Sequence, residues 1–403
     1  MPRCTEGARD GNAGARPAFD DPRYAGFGEM VLVTTCGAPE DNGFVLAVVD
    51  ITGPLPPPGT IYGAEIYHHE TWTRRFLGDV FGLTLDSSGN IYAAATTIYF
   101  VRFGAPIPDP GAVYRIDHKT AMITKFVSLP NKGPALGNIN YDCTHDSFYV
   151  SNHDDGRIYQ VDPSGRILSS YDHATASVRF GPGTEPGEPD GVFVPLGERV
   201  WAVQSHRGRL YYSVWQQDRT RPGPPNQIWS VALQPNGVLD PATKTLEISS
   251  PPLGFYSSPV SDISFGPEQL MMAVERTMEG DTFSKSHVAR ALEWQEDGSG
   301  IWAPSSRSFA IGWEVSDTNA AGGVDYEHER GNGPLHVWFT GDQVAPQVYG
   351  LQGTPQTGGA GADSTLIDLG TSKAYLGDVE IPVGGAALPP DDDPTTGPEP
   401  PTD

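Results

Sequence analysis

The chain has 403 residues, a formal net charge of −24, 48 Gly, 38 Pro and 10% aromatic residues. This charge excludes nucleic acid, whose phosphates need a Lys/Arg footprint, and anionic membrane surfaces; no apolar run approaches the ~20 residues of a spanning helix. The aromatic content is too high for a disordered chain, and the Gly and Pro content predicts a turn-rich globular one.

Residues 1–27 are rich in Gly, Ala, Arg and Asp and have no apolar h-region, which predicts a flexible N-terminal segment and no signal peptide in this chain. Cys4, Cys36 and Cys143 are too few for a disulfide framework. One bridge, Cys4–Cys36, would tether the N-terminus; three free thiols fit the sequence equally. Strands are predicted at Met30–Thr35 and Phe44–Asp50, with no inner partner before them. His68–His69–Glu70 lacks the HExxH or HxH spacing of a metal site and reads as an exposed outer strand.

A repeat begins at Gly82. The hairpins Gly82–Ala95, Asn138–Asn152, Trp201–Trp215, Asp262–Glu275 and Gly323–Thr340 each join two alternating strands through a polar turn. A sixth start, Asp378–Ile381, has no hairpin partner after it. Successive starts are 56, 63, 61, 61 and 55 residues apart. A third strand follows each hairpin, at Ala112–Asp117, Arg157–Asp162, Gln227–Ala232, Val288–Leu292 and Gln347–Leu351. Outer strands are predicted at Ile123–Leu129, Ile167–Asp172, Thr245–Ser250, Arg307–Gly312 and Ser364–Leu369. Four antiparallel strands at each repeat make the blade of a β-propeller. The N-terminal strands lack an inner partner and Asp378–Ile381 lacks outer ones, so together they complete one blade and leave no open edge. The fold class is therefore all-β, a six-bladed β-propeller over residues 28–384. A seventh, degenerate blade in Ile51–Phe76 is the rival, and the even spacing favours six. The Gly/Pro-rich loop Gly181–Val192, together with Thr277–His287 and Trp313–Ala321, is expected to cover one face. Asn152–Gly156, NHDDG, is shaped like the start of a calcium loop but lacks the later Glu, and reads as an Asx turn. Residues 385–403 hold only Pro, Thr, Gly and acids after the last apolar residue and are expected to form a disordered linker.

On the inner strands the first positions are Gly82, Asn138, Trp201, Asp262, Gly323 and Asp378. Two residues on, facing the same way, come Thr84, Asn140, Val203, Ser264, Asp325 and Glu380. The polar side is expected to look into the central channel, where four carboxylates would repel unless protonated or neutralised. Oxygen-only ligands suit Ca²⁺ or Mg²⁺. Asn138, Asp262 and Asp378 lie on alternate blades and, with Glu380, are the candidate ligands for Ca²⁺ near the axis; a wet channel without an ion is the other reading. Trp201 breaks the polar pattern and is read as packing or as the floor of a pocket. His153, His206 and Arg207 fall at blade turns. No catalytic residue is assigned.

The segments "LGDVFGLTLDSSGNIYAAA…GAVYRID", "LGNINYDCTHDSFYVSNHDDGRIYQVD" and "VSDISF", within residues 76–340, resemble bacterial surface proteins in which a propeller-like ectodomain precedes adhesin-type modules. More distantly, the blade count and the Asp/Asn channel resemble the gluconolactonase/paraoxonase/strictosidine-synthase superfamily. That resemblance implies one catalytic divalent ion at the channel mouth, with Asn138, Asp262 and Asp378 matching ligands by type. The Glu that many of those enzymes place in the first blade has no equivalent, Glu380 being two residues deeper. NHL-type propellers, which mostly bind partners, fit the hairpins as well. The leading expectation is a secreted or surface-displayed binding or scaffold module, monomeric, with a protein or glycan partner. The alternative is a divalent-metal-dependent lactonase or esterase, and a structural spacer is a third.

Overall fold

A computed structural model describes residues 14–35, 41–99, 109–184, 186–312, 318–331 and 333–383. Six sheets, each with at least four antiparallel strands, make the ring. Blades 1 to 5 begin with the inner strands Val80–Leu85, Leu136–Asp142, Arg199–His206, Val260–Gly266 and Ala320–Tyr326, and each runs outward in sequence order. Blade 6 is composite: Leu376–Glu380 is innermost and pairs with Met30–Thr35, then Leu46–Asp50, then Ile66–Tyr67. The region weighed as a seventh blade is divided instead. Ile66–Tyr67 finishes blade 6, and Ile61–Tyr62 pairs in parallel with the outer strand Thr365–Asp368 of blade 5.

Each inner strand presents one apolar side to the next blade, so the interior is a set of layers between blades. Tyr92, Val113 and Phe148 fill the layer between blades 1 and 2, and Ile228, Phe265 and Trp302 that between blades 3 and 4. Asp-led turns close many hairpins: Asp86 Oδ1 accepts the N–H groups of Ser88 and Asn90, and Asp162 Oδ1 those of Ser164 and Arg166, the Asx geometry that makes Asp a turn residue.

Two expected elements move. The outer strand of blade 4 is Trp302–Pro304, not Arg307–Gly312, because Phe309 and Ile311 bury themselves between blades 4 and 5 and bridge to Gly359 and Thr318. Its third strand is Ala291–Glu296, since Ala289 and Arg290 are drawn inward, Arg290 by a two-nitrogen pairing with buried Glu275. Part of the segment expected to be flexible is packed. Phe19, Tyr24 and Phe27 are buried against Tyr67 and Trp72. Backbone N–H groups of Ala15, Ala18 and Asp20 donate to carbonyls of Asp86, His118 and Lys119 on blade 1. Cys143 is disulfide-bonded, which overturns both expectations for the cysteines. Cys4, Cys36, most of Trp313–Ala321 and residues 385–403 lie outside the described residues.

Every inner strand has a register shift near its start: between Val80 and Leu83, opposite the step from Val150 to Asn152, between Val200 and Val203, between Val260 and Asp262, between Ala320 and Val324, and opposite Val33 to Thr35. A bulge leaves backbone groups out of the ladder and re-aims the side chains beside it. In four blades one hydroxyl of the second strand repairs the gap and locks the next blade. Ser151 Oγ accepts Asn138 N–H at 2.9 Å and donates to Trp201 O at 2.5 Å. Ser213 does the same between Ala202 and Val260, Thr340 between Gly323 and Gly377, and Thr34 between Asp378 and Phe81. Ser213→Ala strands the Ala202 N–H and the Val260 carbonyl in a buried site, and the expected cost is about 1–3 kcal/mol. Urea unfolding with an unchanged m-value reads it; a loss below a few tenths of a kcal/mol would remove the hydroxyls from the account of ring cohesion.

Candidate functional site: the channel axis and its loop-covered end

The bulges explain the channel. They turn the side chains of Asn138, Asp262 and Asp378, on blades 2, 4 and 6, toward the axis. The matching positions on blades 1 and 5 are glycines: a Cβ on Gly82 would lie 2.7 Å from Asn138 Cα, and one on Gly323 2.7 Å from Asp378 Cα. On blade 3 the shift moves Trp201 and Val203 off the channel. Trp201 joins an aromatic cluster at the channel end and Val203 the layer between blades 2 and 3, while Gln204 takes the inward place and accepts from Asn140 Nδ2 at 2.8 Å.

The three alternate-blade residues do meet. Asn138 Nδ2 donates to Asp262 Oδ1 at 3.0 Å and to Ser261 O at 3.2 Å, while its Oδ1 accepts Ile139 N–H at 2.7 Å. Those two backbone partners fix the amide so that its NH₂, not its carbonyl, faces Asp262. Asp262 also accepts N–H groups from Ile263 and, on the next blade, Val324, each at 2.8 Å. Asp378 accepts those of Val379 and, across the closure, Leu83, each at 2.9 Å. One layer deeper, Asp325 accepts Tyr326 N–H, Ser264 Oγ–H and Ile381 N–H. Thr84 Oγ1 accepts Tyr141 N–H and Asn140 Oδ1 accepts Ser205 N–H. These contacts tie neighbouring inner strands together. Glu380 is buried beside this layer.

Burial pushes the Asp262 and Asp325 carboxyls up to about 6. Asp378 is raised well beyond the usual carboxylate range by burial, then by the Asp262 charge and a hydrogen bond to it, then by Glu380. With no cation beside it, the raised Asp378 carboxyl favours a proton held between Asp378 and Asp262. Ca²⁺ wants several anionic or carbonyl oxygens; this arrangement turns an amide NH₂ inward and has an N–H on every oxygen of Asp262 and Asp378, so it does not fit that ion well.

Among the described residues, acidic ligand atoms converge elsewhere. Oxygens of Asp154, Glu188 and Asp190 all lie within 4.8 Å of one another, close enough to hold a cation. Asp154 comes from NHDDG, where its oxygens already accept N–H groups from Lys132, Asp190 and Gly191. His68 stacks on Phe44 and His69 bonds Thr71, so His68–His69–Glu70 is not assembled as a site. His206 stacks on Phe265 and Arg207 pairs with Glu296.

Loops that lead into inner strands and loops that leave second strands emerge at the same end of the ring. The long ones gather there. Arg199 laces them: it donates to Val194 O from two nitrogens and to Asp281 Oδ1 at 2.8 Å, with its guanidinium carbon 4.6 Å from the Phe193 ring centre and 4.4 Å from that of Trp215. Arg221 also pairs with Asp281. Under this tie lie His153, Trp201, Trp215, Phe81, Tyr99 and Met278. Burial, and secondarily Arg199, pulls His153 down to about 3, so it is neutral. Sequence reasoning singled out His153 and Trp201 separately but missed Trp215 and Arg276 as their neighbours. On the same end Phe255 is 93% exposed at the tip of a turn, beside a groove of about 300 Å³. The opposite end carries a cleft of about 520 Å³ lined by Arg16, Glu29, Glu327, Arg330, Ile381 and Pro382. No helix among the described residues is long and apolar enough to cross a membrane.

No family model matches the sequence, and no curated protein matches it. Solved structures do match in shape. A chain of a nidogen–laminin complex is 11% identical, covers 88% of this chain and 98% of its own, and has a TM-score of 0.50. A gluconolactonase from Xanthomonas campestris is 12% identical over 82% of this chain and 99% of its own, with a TM-score of 0.40. A calcium-binding regucalcin from Agrobacterium tumefaciens is 17% identical over 70% and 72%, with a TM-score of 0.36. At such identities the likeness is one of fold.

Proposed function

We propose that this propeller is an exported, non-catalytic binding module that works through its loop-rich end. One observation carries the reading: Asp262, Asp325 and Asp378, three of the four channel carboxylates, each accept an N–H from a neighbouring blade as well as one from their own strand. A ligand set whose removal unlocks the ring is poorly placed to exchange metal, water and substrate. The exposed Phe255 beside its groove supports the choice of end, since aromatic side chains that seat in pockets carry much of the energy of protein interfaces. The disulfide at Cys143 supports an oxidising compartment.

The expected result is no hydrolysis of lactones or phenyl esters above the buffer rate, with or without added Ca²⁺. Calcium-dependent turnover that disappears in Asp262→Ala, with the variant still folded by circular dichroism, would establish the hydrolase in place of the binding module.

A further inference from the structure

At the loop-covered end of the channel, buried polar atoms lie without partners: Nδ1 and Nε2 of His153, the indole Nε1 of Trp201 and of Trp215, and Nε of Arg276. They belong to one cluster. The His153 ring centre is 5.6 Å from that of Trp201, which is 5.5 Å from Trp215 and 5.6 Å from Phe81. The Arg276 guanidinium carbon is 5.8 Å from the Phe81 ring centre and 5.0 Å from that of Tyr99. None of these four polar residues is more than 2% exposed. Buried polar groups are nearly always paired, so a concentration of unpaired ones in one spot needs a reason.

Arg276 is the stronger anomaly. Its NH1 and NH2 donate to the carbonyls of Ala321, Leu376 and Ala374 and to Ser284 Oγ, all neutral. Among the described residues no carboxylate pairs with it. A buried cation ordinarily has a counter-charge, because desolvating it is costly. The unpaired indole and guanidinium groups are donors only, so whatever satisfies them must supply acceptor oxygens. The surrounding walls, Phe81, Ile98 and Met278, are apolar, and the Tyr99 ring completes them.

We propose that this end of the channel binds a small organic carboxylate, its oxygens facing Arg276 and the two indole N–H groups and its apolar body lying against Phe81 and Met278. His153, neutral, serves as a further donor or acceptor at the rim. The bound anion supplies the missing counter-charge, and access runs through the loops that Arg199 and Asp281 hold together. This deepens the binding-module reading and rests on it.

Benzoate is the probe, with benzyl alcohol as its neutral counterpart, titrated at constant ionic strength. Trp201 and Trp215 report directly: benzoate is expected to give a saturable change in tryptophan emission and a higher thermal midpoint, as for any ligand selective for the folded state. Benzyl alcohol is expected to give neither. Arg276→Met should weaken benzoate at least about tenfold, as loss of a charge-assisted partner does. Should that variant not fold, Trp201→Phe and Trp215→Phe, which keep the apolar wall and delete one donor each, should each weaken benzoate several-fold. No saturable change in the folded protein, equal binding of benzyl alcohol, or unchanged benzoate affinity in these variants overturns the site. Phenyl acetate hydrolysis abolished by benzoate would overturn the non-catalytic reading and leave the carboxylate site standing, so the two failures are distinguishable.

Discussion

Raising the pH from 6.5 to 9 is expected to lower the unfolding free energy of this protein, and Asp378→Asn to remove most of that dependence. The folded channel holds a proton on the Asp262–Asp378 pair that the unfolded chain releases near the ordinary Asp pKa of ~3.9. Between the unfolded Asp pKa and the raised folded one the native state therefore binds more protons, and stability falls as pH rises through that span, by up to about 1.4 kcal/mol per pH unit for each proton involved. This window lies above the titration of the two buried neutral histidines. His153 and His173 are pulled down to about 3 by burial, so the unfolded state binds the extra proton there and stability rises with pH, but only below the unfolded His pKa of ~6.5. Above it their contribution is constant. Asp155, pushed up to about 7 by burial, and His145, raised by its hydrogen bond to Asp142, leave a residual slope of the same sign in the variant. Asp378→Asn still presents a donor to Asp262, but one of its two atoms now meets a backbone N–H as a second donor. It should therefore lose about 1–3 kcal/mol at pH 6 while becoming flatter above. Guanidinium unfolding at several pH values measures both. A wild-type curve that is flat or rising between 6.5 and 9 would mean that the pair carries no shared proton.

Trp72→Ala is expected to cost about 3–5 kcal/mol, the range for emptying a buried aromatic site, against a total stability of roughly 5–15 kcal/mol for a typical protein. Trp72 is fully buried and packs on Phe19 and Tyr67, with ring centres 5.5 Å apart in both pairs. Its indole N–H donates to Ala121 O on blade 1 at 2.9 Å. The residue thus joins the composite blade to the first repeat, and the N-terminal segment covers it. Removing residues 1–27 should expose the Trp72 and Tyr67 rings, shift tryptophan emission to the red and lower the denaturation midpoint. Phe19→Ala and Trp72→Ala should be clearly non-additive, because they empty one shared cluster. A Trp72→Ala loss below 1 kcal/mol, or additive single changes, would demote the segment to a surface decoration.

The blades were legible because period-2 alternation and the spacing of their starts survive in sequence, and because the missing inner and outer strands at the two ends complement each other. The inward turn of Asn138, Asp262 and Asp378 was legible for the same reason. On blade 3 the channel-facing phase was misread by one residue, because a bulge shifts strand phase without leaving a residue signature, so that Gln204 rather than Val203 faces inward; Trp201 itself packs, as one of its two readings had it. The packed N-terminal segment was hidden by composition: Gly, Ala, Arg and Asp dominate it, yet Phe19, Tyr24 and Phe27, three aromatics in nine residues, were the available signal. Arg276 could not be placed at the channel end from sequence, since its reach to blades 5 and 6 depends on ring curvature.

Blade 6 sets the order in which this molecule is made. Its outer strands leave the ribosome before blades 1 to 5 and its inner strand, Leu376–Glu380, after them. Throughout synthesis of blades 1 to 5, Met30–Thr35 waits with an unpaired inner edge, the kind of edge that templates aggregation. The nascent polypeptide therefore acquires its circular topology in one late step, with the longest possible loop closure. A ribosome that stalls before residue 376 releases an open arc, a substrate for chaperones rather than a smaller propeller.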